Sequence, residues 1–350
     1  MAVKSSGTNA NLSFNTDIVG EFGGTAPHNL SEYKRGGSRV PNGPSANASI
    51  PTTNANIQFS DFFGAVNETD LSQALTPVTI NGQSTAKQIT VSDYIDSGGS
   101  LTIPSSLWVW TDSTSVAALI IDIPCTITNS GKIIGQGGDG AYGRGGAGQA
   151  GGPAIKINSG VSGVTIINNS GAYIAGGGGG GAGYEAEGAY AGGGGGSGGG
   201  RGAPPSAYIN TYTAGGAINA TGSDGADTVY TDSEGNGTTA FGGHGGGSGG
   251  EGGEAKQYGD TPISSYGGGG GRILPGTGGT GNIAGDGGSA GNSGGNGSAS
   301  KGAGGGGGWG ASGGNGYYNG TISGGAGGKA VEDSGVTYTL TNNGTIYGAT

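Results

Sequence analysis

The sequence predicts a mostly β fold joined to a glycine-rich polyproline-II bundle, with little or no α-helix. Three observations predict it. Short runs of alternating β-branched and apolar residues, bounded by turn residues, fill residues 76–176 and return near the carboxy terminus. Glycine supplies 92 of 350 residues, most of them between residues 131 and 330. The glycine tract is bracketed by these β-like elements, which fix its two ends in space.

Glycine and proline together make up about 30% of the chain, a share typical of disordered sequences. Charged residues are only 10%, however, so self-repulsion does not hold the chain open. Apolar side chains are too few for a conventional core throughout. Order in the middle has to come from backbone packing and hydrogen bonds. The formal charge of −10 argues against nucleic acid and against anionic membrane surfaces as partners, and serves solubility. The single cysteine, Cys125 in IIDIPCTIT, reads as a small buried residue. The start shows no secretory signal, and no run approaches the ~20 apolar residues of a membrane helix. The expectation is synthesis in a cytoplasm, no membrane insertion, and delivery outside a cell only within an assembly.

Residues 1–66 are polar, rich in Asn, Ser and Pro, and carry LSEYKRGGSRVP (Leu30–Pro41) and IPTTNANIQFSDFFGA (Ile50–Ala65). A short helix is expected at Ser60–Phe63, capped by Ser60, with Phe59, Phe62 and Phe63 packing. The block reads as an extended docking segment that needs a neighbour to cover its aromatics. Residues 76–176 read as a β-domain. PVTINGQSTAKQITVSDYI turns at Asn81-Gly82, and Trp108 and Trp110 share one strand face. One pattern occurs three times: Ile121–Gly135, Ile155–Gly176 and Val331–Gly348 each pass from an apolar run through Thr/Ile alternation to Asn-x-Gly and Ile. Each reads as a hairpin-like strand pair, so residues 329–350 are expected to be a closing β-hairpin.

Residues 177–328 are expected to be the glycine scaffold. A flexible linker need not be so long, and the collagen period is absent. A calcium-binding β-roll has one near match, GSDGADTVY (Gly222–Tyr230) with Asp224 and Asp227, and a single copy is close to chance. A bundle of short polyproline-II helices fits better, because such backbones pack side by side only where side chains are nearly absent. Runs at Gly176–Gly183, Gly192–Gly200, Gly242–Gly253, Gly267–Gly271 and Gly302–Gly310 suit it. The interruptions are Tyr184–Ala191, Ala203–Phe241, Glu254–Tyr266, Arg272–Pro275 and Asn315–Ser323. Eleven of the fifteen tyrosines fall between residues 131 and 330. Tyr, Ser, Gly and Asn are the residues of adaptable binding loops. The tyrosines are therefore recognition loops, lids over the bundle, or both.

Catalytic chemistry is poorly represented. His28 and His244 are the only histidines, and His244 has no second ligand near it in sequence. Glu185/Glu187 and Glu251/Glu254 are close carboxylate pairs, but they sit in glycine context that offers little pre-organisation. GGAGGKA (Gly324–Ala330) lacks the spacing of a phosphate loop. The expectation is no enzyme, no cofactor, no catalytic residue and no metal.

LSEYKRGGSRVP and the phrase ending Phe62-Phe63-Gly64-Ala65 resemble a module common in phage tail-fibre and tail-tip proteins. TITNSGKIIGQGG and TIINNSGAYIAGGGGGG are similar to the glycine-rich distal regions of lambdoid tail-tip proteins. The alternation of glycine motifs with loops resembles the adhesins on T-even-like long tail fibres, although the amino terminus does not match theirs. The resemblance implies a tailed-phage tail-fibre or tail-tip receptor-binding protein, located in the virion and made in the host cytoplasm. Its implied partners are other tail proteins through residues 1–66 and a host surface protein or polysaccharide through the distal loops. By position, the receptor contacts are Tyr184, Tyr190, Tyr208, Tyr212, Tyr230, Phe241, Tyr258, Tyr266, Trp309, Tyr317 and Tyr318. The docking contacts are Tyr33, Phe59, Phe62 and Phe63. A homotrimer, the default for fibres, would bury the tryptophan strands and Phe59–Phe63. A purely structural fibre or collar protein is the alternative. An ice-binding bundle and a depolymerase are further readings that thermal hysteresis and polysaccharide digestion would detect.

Overall fold

The computed structural model describes residues 12–350 apart from 38, 41–46, 55, 66–67, 76, 96, 144–145, 187, 206–210, 233, 259–260, 282–283, 299–301 and 318. Residues 12–65 close on a core of their own: Ile18, Phe22, Tyr33, Val40, Ile50, Phe62 and Ala65. This corrects the expectation of an extended segment. Short helical turns at Phe14–Ile18, Val19–Phe22, Leu30–Glu32 and Phe59–Phe62 fold the aromatics inward. The Tyr33 hydroxyl donates to the Gly23 carbonyl at 2.8 Å. The turn at Phe59–Phe62 is stabilised by Gln58 N–H donating to Asp61 Oδ2 at 2.8 Å, where Ser60 was the expected cap. Phe62 lies inside, while Phe59 is half exposed and stacks on Phe14 at 5.9 Å.

From residue 68 the chain forms β1 (Glu68–Asp70), β2 (Val78–Ile80), β3 (Gln83–Lys87), β4 (Ile89–Thr90), β5 (Ser100–Ile103), β6 (Leu107–Trp110), β7 (Leu119–Ile121), β8 (Thr126–Asn129), β9 (Lys132–Ile134), β10 (Ile155–Ile157), β11 (Val164–Asn168) and β12 (Tyr173–Ala175). The glycine tract carries β13 (Tyr184–Ala186), β14 (Ala189–Ala191), β15 (Thr228–Thr231), β16 (Gly237–Ala240), β17 (Ala255–Tyr258), β18 (Thr261–Ser264), β19 (Gly316–Tyr317) and β20 (Thr321–Ile322). Last come β21 (Val331–Glu332), β22 (Tyr338–Asn342) and β23 (Thr345–Tyr347).

Three sheets run β1-β5-β8-β11-β22, β2-β3-β6-β9-β12-β23 and β4-β7-β10-β21. The chain visits them in rotation, and every pairing except the β2–β3 hairpin is parallel. The result is a three-sided parallel β-helix. The Asn81-Gly82 turn does make the expected hairpin, with φ 48° and 74°. The three repeats do not. Their two strands lie on different sheets, and each repeat stacks on the next: Ile127 on Ile166 on Leu340, Ile133 on Ile174 on Ile346, Leu119 on Ile155 on Val331. Residues 331–347 are therefore the last turns of the β-helix and not a separate hairpin.

Asparagine explains the bend. Asn129, Asn168 and Asn342 occupy one register position. Asn129 Nδ2 donates to Asn168 Oδ1 at 2.9 Å, and Asn168 Nδ2 donates to Asn342 Oδ1 at 2.8 Å. Asn129 Oδ1 also accepts from Gly131 N–H at 3.0 Å. Asn129 thus holds its own corner and links it to the next turn, Asn168 carries the link on to Asn342, and the buried amides of Asn129 and Asn168 find partners. The apolar interior is continuous from Leu71 to Val331 and includes Cys125.

The glycine tract is inserted at one corner, between β9 and β10 and between β12 and β21. Its runs pass outward and back, and their hydrogen bonds have a period of three. Gly177, Gly180 and Gly183 donate to Gly152, Gln149 and Gly146; Gly178 and Gly181 to Ser197 and Gly194; Gly179 and Ala182 to Ala311 and Gly314. One extended run therefore serves three neighbours in turn. The run at 192–198 donates likewise to 138–141, 304–307 and 268–271, and accepts from 178–181, 200–203 and 250–253. A Cβ on Gly177, Gly178, Gly179, Gly180 or Gly181 would stand closer than 3.0 Å to a neighbour's backbone. Glycine is required because each backbone occupies the space its neighbour's side chain would need.

The near end of this bundle rests on the β-helix. Trp108, Ile134 and Ala175 meet Ile218 and Trp309, with Trp110, Leu274, Ala290 and Tyr347 around them. The tryptophan strand is thus covered by its own chain, without a second copy. Asn81 Nδ2 adds a 2.9 Å bond to the Ile218 carbonyl. Arg272 lies buried there, 5.0 Å from the Trp110 ring, donating to the Gly216 carbonyl at 3.0 Å; burial lowers its pKa to about 10.

Candidate binding surface

At the far end, four of the turns between glycine runs are two-stranded hairpins: β13–β14, β15–β16, β17–β18 and β19–β20. They pack on one another: β14 against β17 and β18, β15 against β18, β16 against β17, and β13 against β19. Ser265 N–H donates to the Tyr190 carbonyl at 3.2 Å, and Tyr190 N–H to Ser264 Oγ at 2.9 Å. The cluster forms one terminal surface. The interruption Arg272–Pro275 is excluded from it, because it turns at the opposite end beside Trp309.

The expected contact residues divide accordingly. Tyr230 and Tyr258 meet at 5.6 Å, and the Tyr258 hydroxyl donates to Asp232 Oδ2 at 3.0 Å. Tyr212 lies under the Arg201 guanidinium at 4.3 Å and beside Tyr142 at 5.7 Å; burial and its hydrogen bond with Tyr142 hold its hydroxyl above the usual range. Arg201 is fixed by Asp139 at 2.6 Å. Phe241 and Tyr317 are exposed, by 51% and 37%. Tyr190 and Tyr266 are half-buried. Two residues are corrected. Tyr184 is buried between hairpins, and Trp309 is fully buried at the near end with its Nε1 donating to the Ile273 carbonyl at 2.9 Å. Tyr208 and Tyr318 lie outside the described residues. On the amino-terminal module Tyr33 and Phe62 are interior, while Phe63 is half-buried and Phe59 is half exposed.

Sequence reasoning missed Val229, which is 68% exposed on β15. It lines a groove of about 400 Å³ between two hairpins with Pro205, Tyr230, Pro262 and Tyr266. A second pocket of about 400 Å³ opens beneath them, lined by Asp227, Phe241, His244, Glu251 and Glu254. Asp224 and Asp227, considered above for calcium, accept from Gly245 N–H and Gly242 N–H at 2.7 Å each, one glycine repeat apart. Among the described residues no cluster of His, Cys, Asp and Glu could hold a metal ion. No described helix is long and apolar enough to cross a membrane.

The hairpin cluster stands on a bundle of glycine runs held together by backbone hydrogen bonds. The chain belongs to the phage tail fibre adhesin Gp38 family, whose match spans residues 45–258. It is thus a tail-fibre adhesin of the virion that serves host-cell attachment, in a family of adhesins and not of enzymes. No curated protein matches it. A solved structure, the gp37-gp38 adhesin tip complex of the bacteriophage S16 long tail fiber, is 18% identical over 85% of this chain and 88% of that one, with a TM-score of 0.38.

Proposed function

We propose that the hairpin cluster is the surface that touches the host receptor, and that residues 12–65 dock onto another tail protein. The observation that carries the first reading is the segregation of the two bundle ends. Turns that meet the β-helix hide their large side chains, whereas the free end exposes Val229, Phe241 and Tyr317. Tyrosine and valine on strands held by a glycine lattice give contact area at low entropic cost. The glycine runs act as polyproline-II helices, since a three-residue hydrogen-bond period is three residues per turn. No catalytic step is assigned. Alanine at Val229 and Tyr317 together should lower adsorption by about tenfold or more while thermal unfolding stays unchanged. Undiminished adsorption of that variant counts against the surface.

Docking through residues 12–65 is supported by exposed Leu30 and Phe59 on a module with a core of its own. The assembly we propose is a homotrimer held at this module, since the tryptophan strands are covered within one chain. Light scattering on the full chain distinguishes it from a single copy.

A further inference from the structure

The pocket beneath the β15–β16 and β17–β18 hairpins has a use that the exposed aromatics do not explain. Glu251 and Glu254 are spaced three residues apart on one glycine run, so both carboxylates fall on the same side of it. Both side chains are buried, Glu254 with 2% of its surface exposed. Glu254 Oε2 is engaged by Phe241 N–H at 3.2 Å and by Lys256 Nζ at 3.0 Å. Glu254 Oε1 is buried and has no hydrogen-bond partner among the described residues, and Glu254 contributes to the pocket wall. Glu251 accepts from His244 N–H at 3.1 Å, and Asp227 completes the acidic lining. The lining carries three carboxylates, and Lys256 pairs with Glu254, so the pocket holds surplus negative charge.

A buried carboxylate oxygen without a partner costs free energy, and the cost is recovered when a donor arrives. The half-exposed Phe241 ring borders the opening. A phenyl face at the lip with carboxylates within suits an apolar stem ending in a positive charge. The chain itself shows the pairing: Lys256 Nζ stands 4.9 Å from the Phe241 ring while bonded to Glu254. An anionic or uncharged ligand would leave the surplus charge unpaired. A flat sugar ring would not need so much buried charge.

We propose that this pocket takes a basic side chain, a guanidinium or ammonium on an aliphatic stem, presented by a polypeptide receptor. The ligand's carrier rests on the receptor reading above; the pocket's chemistry does not.

The test titrates the full chain with N-acetyl-argininamide, its uncharged analogue N-acetyl-citrullinamide, and glucosamine, by isothermal calorimetry. The expected result is saturable binding of the argininamide, with the citrulline analogue weaker by roughly tenfold or more. Glu254→Gln should lose roughly the same factor. Phe241→Ala, at an exposed position that leaves folding intact, should weaken binding by about threefold to tenfold. No argininamide binding, equal binding of the two analogues, or undiminished binding in Phe241→Ala overturns the proposal, even if Glu254→Gln fails to fold. Tighter binding of glucosamine overturns it in favour of a saccharide ligand. Adsorption of the Val229 and Tyr317 variant is read separately, so failure of the pocket and failure of the receptor surface stay distinct.

Discussion

Glu251 shows how one residue answers to its surroundings. Its carboxyl is pushed up chiefly by burial, opposed by the hydrogen bond from His244 N–H. A carboxyl whose folded pKa is raised binds its proton more tightly in the folded state. Its stabilising contribution is complete below the ordinary value of about 4.3 and is lost as pH rises through the higher folded value. Glu251→Gln should therefore flatten the decline of thermal stability across this acid range and raise the melting temperature at neutral pH. A variant whose melting temperature tracks the parent at every pH would refute the assignment. Arg272 belongs to the same scale: it stays buried because the Gly216 carbonyl and the Trp110 face replace water.

At the level of elements, the glycine runs and the β-helix turns obey opposite rules. A β-helix strand buries alternate side chains, as β11 does with Val164, Ile166 and Asn168. A glycine run buries its backbone on three sides and tolerates no side chain where a neighbour's carbonyl stands. Gly180 accepts from Gly325 N–H, donates to Gln149 at 2.8 Å, and would direct a Cβ into Asp139 O. Gly180→Ala should cost about 3 kcal/mol or more. Gly20, in the short helix at Val19–Phe22, has nothing within 4 Å of an added Cβ. Gly20→Ala should be neutral or stabilising by about 0.4–1 kcal/mol. Thermal unfolding of the two variants makes the comparison, and equal effects would mean that the lattice does not exclude side chains.

For the whole molecule, the decisive contact is the junction where the bundle rests on the β-helix. Trp309 is fully buried there, against the buried Trp108 strand. Trp309→Ala should cost about 3–5 kcal/mol. Hydrogen exchange should rise in 217–219, 273–276 and 302–310 while β8 and β11 keep their protection. Uniform exchange across the chain would show instead that junction and β-helix unfold as one. The tip hairpins depend on this junction only through the stiffness of the runs between them. With the receptor surface proposed above, the design separates mechanical support from recognition.

The sequence by itself determined the division of labour: short β-branched strands around a glycine tract, too few apolar residues for an oily core throughout, and tyrosine-bearing interruptions as the places to look for contact. Those are local properties of composition and spacing. Only the tertiary structure decided how the three Asn-x-Gly repeats pair. Alternation of period two is the same whether a strand's neighbour is antiparallel in a hairpin or parallel on the next turn. The asparagine ladder forms only after residues 39 and 174 apart in sequence have stacked. The same limit hid which interruptions reach the tip. Phe241 directly precedes a glycine run and Trp309 stands near the end of one, yet the first is exposed at the far end and the second is fully buried at the near end. Whether a run travels outward or back is set by which neighbours it bonds to, and no local signal in a run of glycines carries that direction.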